Sequence, residues 1–214
     1  MNATPDGTTQ EQGDRVREIG ATGAGAVTVS LLDARRVTLR LAAAEDRPLV
    51  GKFFDSFSEG SLEERRIVTT HAGTARQRHQ LVEHTPDRGM ILATPAGAGS
   101  PAIGVASYGY LPDEESCEIV VLVSRMWQAV GLGSALLTAA VSEARTQGFR
   151  HFHANMLGGD MPMLRLLREA LARDVFTRVS HGLVRVDFEV GDGDRRGFSP
   201  NTQPRIVSHT LGGL

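Results

Sequence analysis

The chain has 214 residues, 41% of them hydrophobic, a formal net charge of −2 and one cysteine, Cys117. This length allows one or two domains with a sizeable core, and the absence of any basic run disfavours a nucleic-acid surface. A single cysteine excludes an internal disulfide and a cysteine-only metal site, and we expect no metal. No leader-like segment and no run of 18 apolar residues is present, so we expect a cytoplasmic protein without membrane contact.

The first half of the chain predicts an arm, a hairpin and helices. Residues 1–25 are rich in glycine, threonine and charge, so we expect a flexible N-terminal arm that precedes a single domain at 26–190. Short strands are predicted at 27–32 and 37–41, with a polar turn between them that suits a hairpin. Apolar residues at helical spacing predict a helix at 45–57, and a second helical region follows at about 61–81.

The second half predicts alternating strands and helices. Two strands, at 90–93 and 103–110, flank a low-complexity loop rich in glycine and proline. The pattern then gives a buried strand at 119–123, a helix at 134–147, a strand at 151–157, a helix at about 160–172, and a closing hairpin at 175–179 and 183–190. Residues 191–214 are polar and irregular, and we expect a flexible C-terminal tail.

A strand–loop–helix unit in the middle of the chain is the most informative stretch. Five successive apolar residues at 119–123, four of them β-branched, predict the strand, and Gly148 supplies the end of the following helix. Gly131 and Gly133 let the loop turn tightly. The free N–H groups of the loop and the first helical turn then converge on one spot, where the helix dipole favours a phosphate group.

Three kinds of glycine loop can be compared with residues 128–133, Gln-Ala-Val-Gly-Leu-Gly. A dinucleotide loop needs G-x-G-x-x-G and a P-loop needs G-x-x-x-x-G-K-[ST], and the chain satisfies neither pattern. It resembles Q/R-x-x-G-x-G/A, the acetyl-CoA pyrophosphate loop of the GNAT superfamily of N-acetyltransferases, at every defining position. For these six residues alone, an ordinary strand–turn–helix with two turn glycines is the alternative.

The resemblance to the GNAT superfamily covers roughly residues 37–190. The order of strand, helices, three antiparallel strands, loop–helix, strand, helix and closing hairpin is the chain order of that fold. The resemblance implies an α/β (α+β) protein with a splayed mixed sheet and helices on both faces. Residues 155–167 and 182–188 look similar to bacterial protein lysine acetyltransferases that act on acyl-CoA synthetases.

The resemblance also implies a reaction and a site. It implies direct transfer of an acetyl group from acetyl-CoA, as cosubstrate, to an amine, which is either a protein lysine or a small molecule. Glu118 occupies the position of the catalytic glutamate in that branch, and a solvent-facing glutamate at a strand end is the alternative. The backbone of Val121, Leu122 and Val123 would pair with pantetheine. The loop that would hold the pyrophosphate comprises Gln128, Ala129, Val130, Gly131, Leu132, Gly133 and Ser134.

Several residues depart from the family pattern and leave a second interpretation open. The family loop usually carries a glycine and a basic residue where this chain has Ala129 and Val130. Leu167 stands at the position of the usual tyrosine acid, and Asp160 replaces an asparagine. Tyr108, Tyr110 or water could protonate the thiolate instead. The alternative function is therefore an inactive GNAT-like module that binds acyl-CoA as a sensor or scaffold, and a homodimer is one option for its assembly.

The remaining polar residues carry weaker expectations. His151 and His153 alternate with Phe152, so both histidines share one face of the predicted strand. Packed or rim histidines are more common than catalytic ones at such positions. Trp127 is expected to anchor the loop by packing, and Cys117 is expected to fill space in the core.

Overall fold

The computed structural model describes residues 17–22, 25–58, 82–111, 115–157, 175–180 and 183–190. The helical regions predicted at 61–81 and 160–172, including Asp160 and Leu167, lie outside the described residues. Most of the two terminal segments, residues 1–16 and 191–214, lies outside them as well.

The described strands form one mixed sheet. They are β1 (Arg17–Thr22), β2 (Ala26–Ser30), β3 (Arg36–Leu41), β4 (Arg88–Pro95), β5 (Gly104–Leu111), β6 (Ser116–Val123), β7 (His151–Leu157), β8 (Val175–Ser180) and β9 (Leu183–Glu189). Their order is β1-β2-β3-β4-β5-β6-β7-β9-β8. Neighbouring strands run antiparallel except β6 and β7, which are parallel. This mixed sheet confirms the predicted fold class.

The first strand differs from the sequence expectation. Residues 17–22 fall within the predicted flexible arm, but they form β1 and pair antiparallel with β2. The expectation is wrong for these six residues, because pairing with a neighbouring strand supplies the backbone hydrogen bonds that local sequence does not indicate.

The two described α-helices pack on opposite faces of the sheet. Helix α1 (Arg47–Ser58) follows a 3₁₀ turn at Ala44–Asp46, and helix α2 (Leu132–Thr146) follows the glycine loop. Side chains of α1 share a buried cluster with Leu92 of β4, whereas side chains of α2 share one with Ile91. Successive residues of a strand point to opposite faces, so the two helices enclose the sheet between them. No helix in the described part of the chain is long and apolar enough to cross a membrane.

Helix α2 comes close to the sheet at Gly104 of β5. A Cβ atom at this position would lie 2.8 Å from Cδ1 of Leu136 and 3.2 Å from the carbonyl oxygen of Leu122. Leu132 and Leu136 are both fully buried on the same side of the helix. The absence of a side chain at Gly104 therefore sets how closely the first two turns of α2, and the loop before them, approach β6.

This close approach makes a testable prediction about two glycines of β5. Gly104→Ala should destabilise the fold by about 1–3 kcal/mol, because Leu136 and the β6 backbone must move to admit a methyl group. Gly109→Ala is the matched control, since a Cβ atom there meets nothing within 4 Å. Denaturant unfolding of both variants measures the difference, and equal stability of the two variants would contradict the packing described.

Candidate active site

Strands β6 and β7 pair over a very short distance. Their parallel ladder contains Cys117 with Phe152 and Glu118 with His153. Beyond this point β6 remains paired with β5 as far as Val123, and β7 remains paired with β9 as far as Leu157. The two strands therefore separate after Glu118, and the β7-facing side of residues 119–123 is not paired with β7.

The direction of the backbone groups in this part of β6 follows from one hydrogen bond. The amide of Ser124 donates to the carbonyl of Ile103 on the β5 side, at 2.9 Å. Because hydrogen-bonding groups alternate along a strand, the amide of Leu122 also faces β5, and those of Val121 and Val123 face away from it. The structure thus differs from the sequence expectation that all three residues present amides on one side.

A glycine loop continues from the end of β6. The chain makes a 3₁₀ turn at Arg125–Trp127, and Gln128 Nε2 donates to the carbonyl of Val123 at 3.0 Å, which ties the loop to the strand end. Helix α2 begins at Leu132, two residues earlier than predicted, with Gly131 at the N-cap in a left-handed conformation (φ 87°). No side chain caps this helix end.

The backbone amides around the start of α2 are the next feature of the loop. Within the described part of the chain, the N–H groups of residues 129–134 donate no hydrogen bond, and the first helical amide to do so is that of Ala135, to the Gly131 carbonyl at 3.1 Å. The loop therefore presents a set of amides together with the positive end of the helix dipole. This arrangement suits a phosphate group, as the sequence indicates.

Ala129 adopts a backbone conformation that glycine would adopt more readily. Its φ is 58°, in the left-handed region, where a side chain other than hydrogen costs about 1–2 kcal/mol. The family loop described above carries glycine at this position. Ala129 thus occupies a left-handed position in which a glycine would be less strained.

Glu118 lies where the two strands separate, on the face of the sheet that carries α1. Its carboxylate is 26% exposed, and Oε1 lies 3.9 Å from Nε2 of His153. His153 is fully buried, and its Nδ1 is 3.0 Å from the Oγ atom of Ser116, within hydrogen-bond distance. Gly109 of β5 pairs directly with Glu118 of β6, and a glycine places no side chain beside the carboxylate at that position.

A second carboxylate lies on the other side of His153. Asp187 of β9 pairs directly with His153 in the sheet register. Arg185 Nε donates to Asp187 Oδ1 at 2.8 Å, and Arg178 Nε lies 3.6 Å from Oδ2. The two arginines offset the charge of Asp187. Glu118, the other carboxylate of this cluster, lies at the separation of the strands.

The other candidates from the sequence lie in different surroundings. Tyr108 is fully buried, and this burial raises the pKa of its hydroxyl far above the ordinary value. Tyr110 is exposed and stacks on Phe149 with ring centroids 5.6 Å apart. Burial raises the pKa of Cys117 to about 12, which fits a core residue rather than a nucleophile. Among the described residues, no group of three histidine, cysteine or acidic side chains is arranged to hold a metal ion.

A sheet that separates between two parallel strands, with a glycine loop and helix at the point of separation, defines a class of acyl-group transferases. The family model of the acetyltransferase (GNAT) family matches residues 54–171, more than half of the chain. The chain belongs to this family and is by that membership an acyltransferase.

Individual relatives are distant. Acetyltransferase PA5475 of Pseudomonas aeruginosa is 23% identical over 127 residues, which are 58% of this chain and 68% of that protein. The GNAT domain of S. lividans PAT superposes with a TM-score of 0.63 at 22% identity, over 80% of this chain and 100% of that one. The PaiA N-acetyltransferase of Thermoplasma acidophilum, solved with coenzyme A, gives 0.55 at 11% identity, over 72% and 98%. At these identities the structural likeness establishes the fold.

The strand and the loop follow from the sequence, whereas the neighbours of Glu118 do not. His153 was expected to be a packed or rim histidine, and its burial agrees with packing, but the register also places it beside the carboxylate. Ser116 was not singled out at all. The alternation of His151 and His153 was the available signal, yet only the parallel register with β6 shows which histidine faces Glu118.

The strained backbone at residue 129 makes a stability prediction. Ala129→Gly should raise the free energy of unfolding by about 0.5–1 kcal/mol, because relief of the left-handed strain exceeds the added entropy of the unfolded chain. Ala139→Gly within α2 is the control and should lower it by about 1 kcal/mol. Chemical denaturation compares the variants, and a destabilised Ala129→Gly would show that the residue is not strained.

Proposed function

We propose that this protein transfers an acetyl group from acetyl-CoA to the nitrogen of an amine by direct attack. The observation that supports the proposal is a row of amides in two parts, one along β6 beyond its separation from β7 and one in the loop that follows. The amides of Val121 and Val123 face away from β5, and the free amides of residues 129–134 follow at the strand end. A thioester on a pantetheine arm with a pyrophosphate behind it matches this order of groups.

Each part of acetyl-CoA has a counterpart in this row. The pyrophosphate would occupy the loop formed by residues 128–134, where amides and the helix dipole offset its charge. The pantetheine amides would pair with Val121 and Val123 as an additional strand, in place of the missing β7 pairing. The thioester carbonyl would then lie close to the point where the strands separate, within reach of an amide donor that stabilises developing negative charge.

The reaction requires removal of a proton and departure of a thiolate. The amine nitrogen attacks the thioester carbon, a C–N bond forms, the C–S bond breaks, and CoA leaves as a thiolate that takes up a proton. An amine is protonated near neutral pH, so a base must take its proton before or during attack. Glu118 is our proposed base, because its half-buried carboxylate lies at the separation of the strands.

The surroundings of Glu118 support this role. His153 and Ser116 form a buried polar pair on one side of the carboxylate. Nε2 of His153 lies 3.9 Å from Oε1 of Glu118, and Nδ1 of His153 lies 3.0 Å from Oγ of Ser116. Gly109 pairs with Glu118 in the β5–β6 ladder and adds no side chain next to the carboxylate. An approaching amine would meet the carboxylate from the β5 side, because His153 lies on the β7 side.

Two classes of acceptor fit the proposal. The similarity of residues 155–167 and 182–188 to protein lysine acetyltransferases that act on acyl-CoA synthetases favours a protein lysine, and a small-molecule amine is the other class. The likeness to the GNAT domain of S. lividans PAT supports the fold on which this proposal rests. We propose a cytoplasmic location, and a homodimer is one assembly that would be compatible with this function.

Two observations favour a second candidate function, that of an acyl-CoA sensor or scaffold without catalysis. Tyr108, which could have protonated the thiolate, is buried and its pKa is raised. The loop also carries Ala129 and Val130 in place of a glycine and a basic residue. An assay for free thiol release from acetyl-CoA with a panel of amines, beside the melting shift caused by CoA, separates the two functions. A shift with thiol release identifies an enzyme, and a shift without release identifies a sensor.

The cofactor loop is tested by a charge at Gly131. Gly131→Glu should lower the affinity for CoA by about 100-fold or more, because a carboxylate near the pyrophosphate costs several kcal/mol in a partly desolvated site. Gly131→Ala is the matched control, since it introduces the same strain at φ 87° without the charge. Calorimetric titration with CoA measures both variants. Unchanged affinity in a folded Gly131→Glu variant would mean that the loop does not bind the pyrophosphate.

The proposed base is tested by Glu118→Gln, which keeps the size of the side chain. Turnover should fall by about 10²–10⁴-fold, and the affinity for acetyl-CoA and the melting temperature should hardly change. The loss should shrink as the pH rises toward the pKa of the acceptor amine, because more acceptor then arrives deprotonated. Glu189→Gln, at an exposed strand end, is the control. A loss that is equal at every pH would indicate a positioning role, and full activity would exclude Glu118 as the base.

A further inference from the structure

The turn between β2 and β3 contacts the glycine loop from the side. The amide of Leu32 donates to the carbonyl of Val130 at 3.1 Å. Nη1 and Nη2 of Arg35 both donate to the carbonyl of Met126, at 3.3 and 3.2 Å. Two carbonyl groups, one in the 3₁₀ turn before the loop and one in the loop itself, are therefore held by donors that come from more than ninety residues earlier in the chain.

Arg35 is itself fixed from several directions. Its guanidinium lies over the ring of Trp127, 3.9 Å from the ring centroid, and its Nε is paired with the carboxylate of Asp33. Leu31, at the start of the same turn, is 3% exposed and belongs to the buried cluster that contains Leu132 of α2. The turn is thus anchored in the core beneath the loop, and Arg35 is held in place before it reaches Met126.

The position of these two carbonyls matters for an anion site. A loop that binds a phosphate through its amides must direct its carbonyl oxygens elsewhere, because their partial negative charge repels the ligand. The carbonyls of Met126 and Val130 stand on either side of residues 127–129, and both are bound by the β2–β3 turn. This contact turns the two carbonyls toward the β2–β3 turn, whereas the amides of residues 129–134 donate no hydrogen bond within the described part of the chain.

We propose that Arg35 is a positioning residue for the cofactor loop, which it holds in its anion-binding shape by binding the Met126 carbonyl and stacking on Trp127. Arg35 thereby compensates for the lack of glycine and basic side chains at Ala129 and Val130. Its contribution comes from the forked geometry of the guanidinium rather than from its charge alone. The proposal rests on the proposed function in one respect, namely that this loop binds the pyrophosphate of CoA.

The test compares three single variants by calorimetric titration with CoA. Arg35→Ala should raise the dissociation constant about tenfold, since the ligand must then order the loop itself. Arg35→Lys keeps the charge but loses the fork and most of the stacking, so it should show most of the same loss. Arg36→Ala removes an equal charge from the neighbouring exposed side chain and should leave the dissociation constant within about twofold of wild type.

The sole tryptophan provides a second readout that does not depend on CoA. Trp127 is the one tryptophan of the chain and lies directly beneath Arg35. Its fluorescence emission should change in Arg35→Ala and Arg35→Lys, and it should remain as in wild type in Arg36→Ala. An unchanged melting temperature alongside this change would separate a local effect on the loop from general destabilisation.

The possible outcomes distinguish the two proposals. Arg35→Lys with wild-type affinity, or Arg36→Ala with as large a loss as Arg35→Ala, would overturn the positioning role in favour of simple charge attraction. Unchanged affinity in Arg35→Ala would overturn the positioning role as well. The proposed function would stand in that case, because the wild-type chain binds CoA. A wild-type chain that does not bind CoA would overturn both proposals together. Loss of affinity in both Arg35 variants, with Arg36→Ala unaffected, supports the role.

Discussion

The separation of β6 from β7 after Glu118 and His153 is the constraint on which the rest of the site depends. Strand β7 is paired with β9 along its whole length, and β6 is paired with β5. Because both strands are bound on their outer sides, neither can follow the other once they diverge. The β7-facing side of residues 119–123 is not paired with β7, so its amides can donate to an extended ligand. A site for an extended molecule results from the sheet topology itself.

The loop after β6 presents further backbone amides, here at the start of a helix rather than along a strand. Left-handed backbone at Ala129 and Gly131 turns the chain abruptly into α2. The buried face of α2 and the close contact at Gly104 hold the helix against the sheet, which fixes the place of its N-terminus. A strained backbone of this kind persists only where its surroundings determine the conformation. Here the core beneath α2 and the β2–β3 turn both do so.

The polar cluster at the point of separation combines burial with charge balance. A fully buried imidazole such as that of His153 requires polar neighbours, and Ser116 supplies one at 3.0 Å. Asp187 is paired with Arg185 and Arg178, so its charge is offset locally. Glu118 lies where β6 and β7 separate and is partly exposed to solvent. The buried pair of His153 and Ser116 beside a half-buried carboxylate fits the proposed role of Glu118 as a base that acts on an incoming amine.

The sequence alone determined the elements whose signals are local. The apolar run at 119–123, the glycines of the loop and the helical period after them predict the strand, loop and helix of the site, because each follows from residue type and spacing over a few positions. The same local patterns predict eight of the nine described strands. Glu118 could be placed at the start of the buried strand, but its neighbours could not be named.

Only the tertiary structure decided which groups face one another. The pairing of Glu118 with His153, the turning of the Leu122 amide toward β5, and the contact of Arg35 with Met126 all join residues that are distant in sequence or depend on strand register. Register is set by how whole strands and helices pack together, and a shift of one residue would reverse every side chain and amide. Strand β1 was missed for the same reason, because its pairing with β2 rather than its own residues makes it a strand.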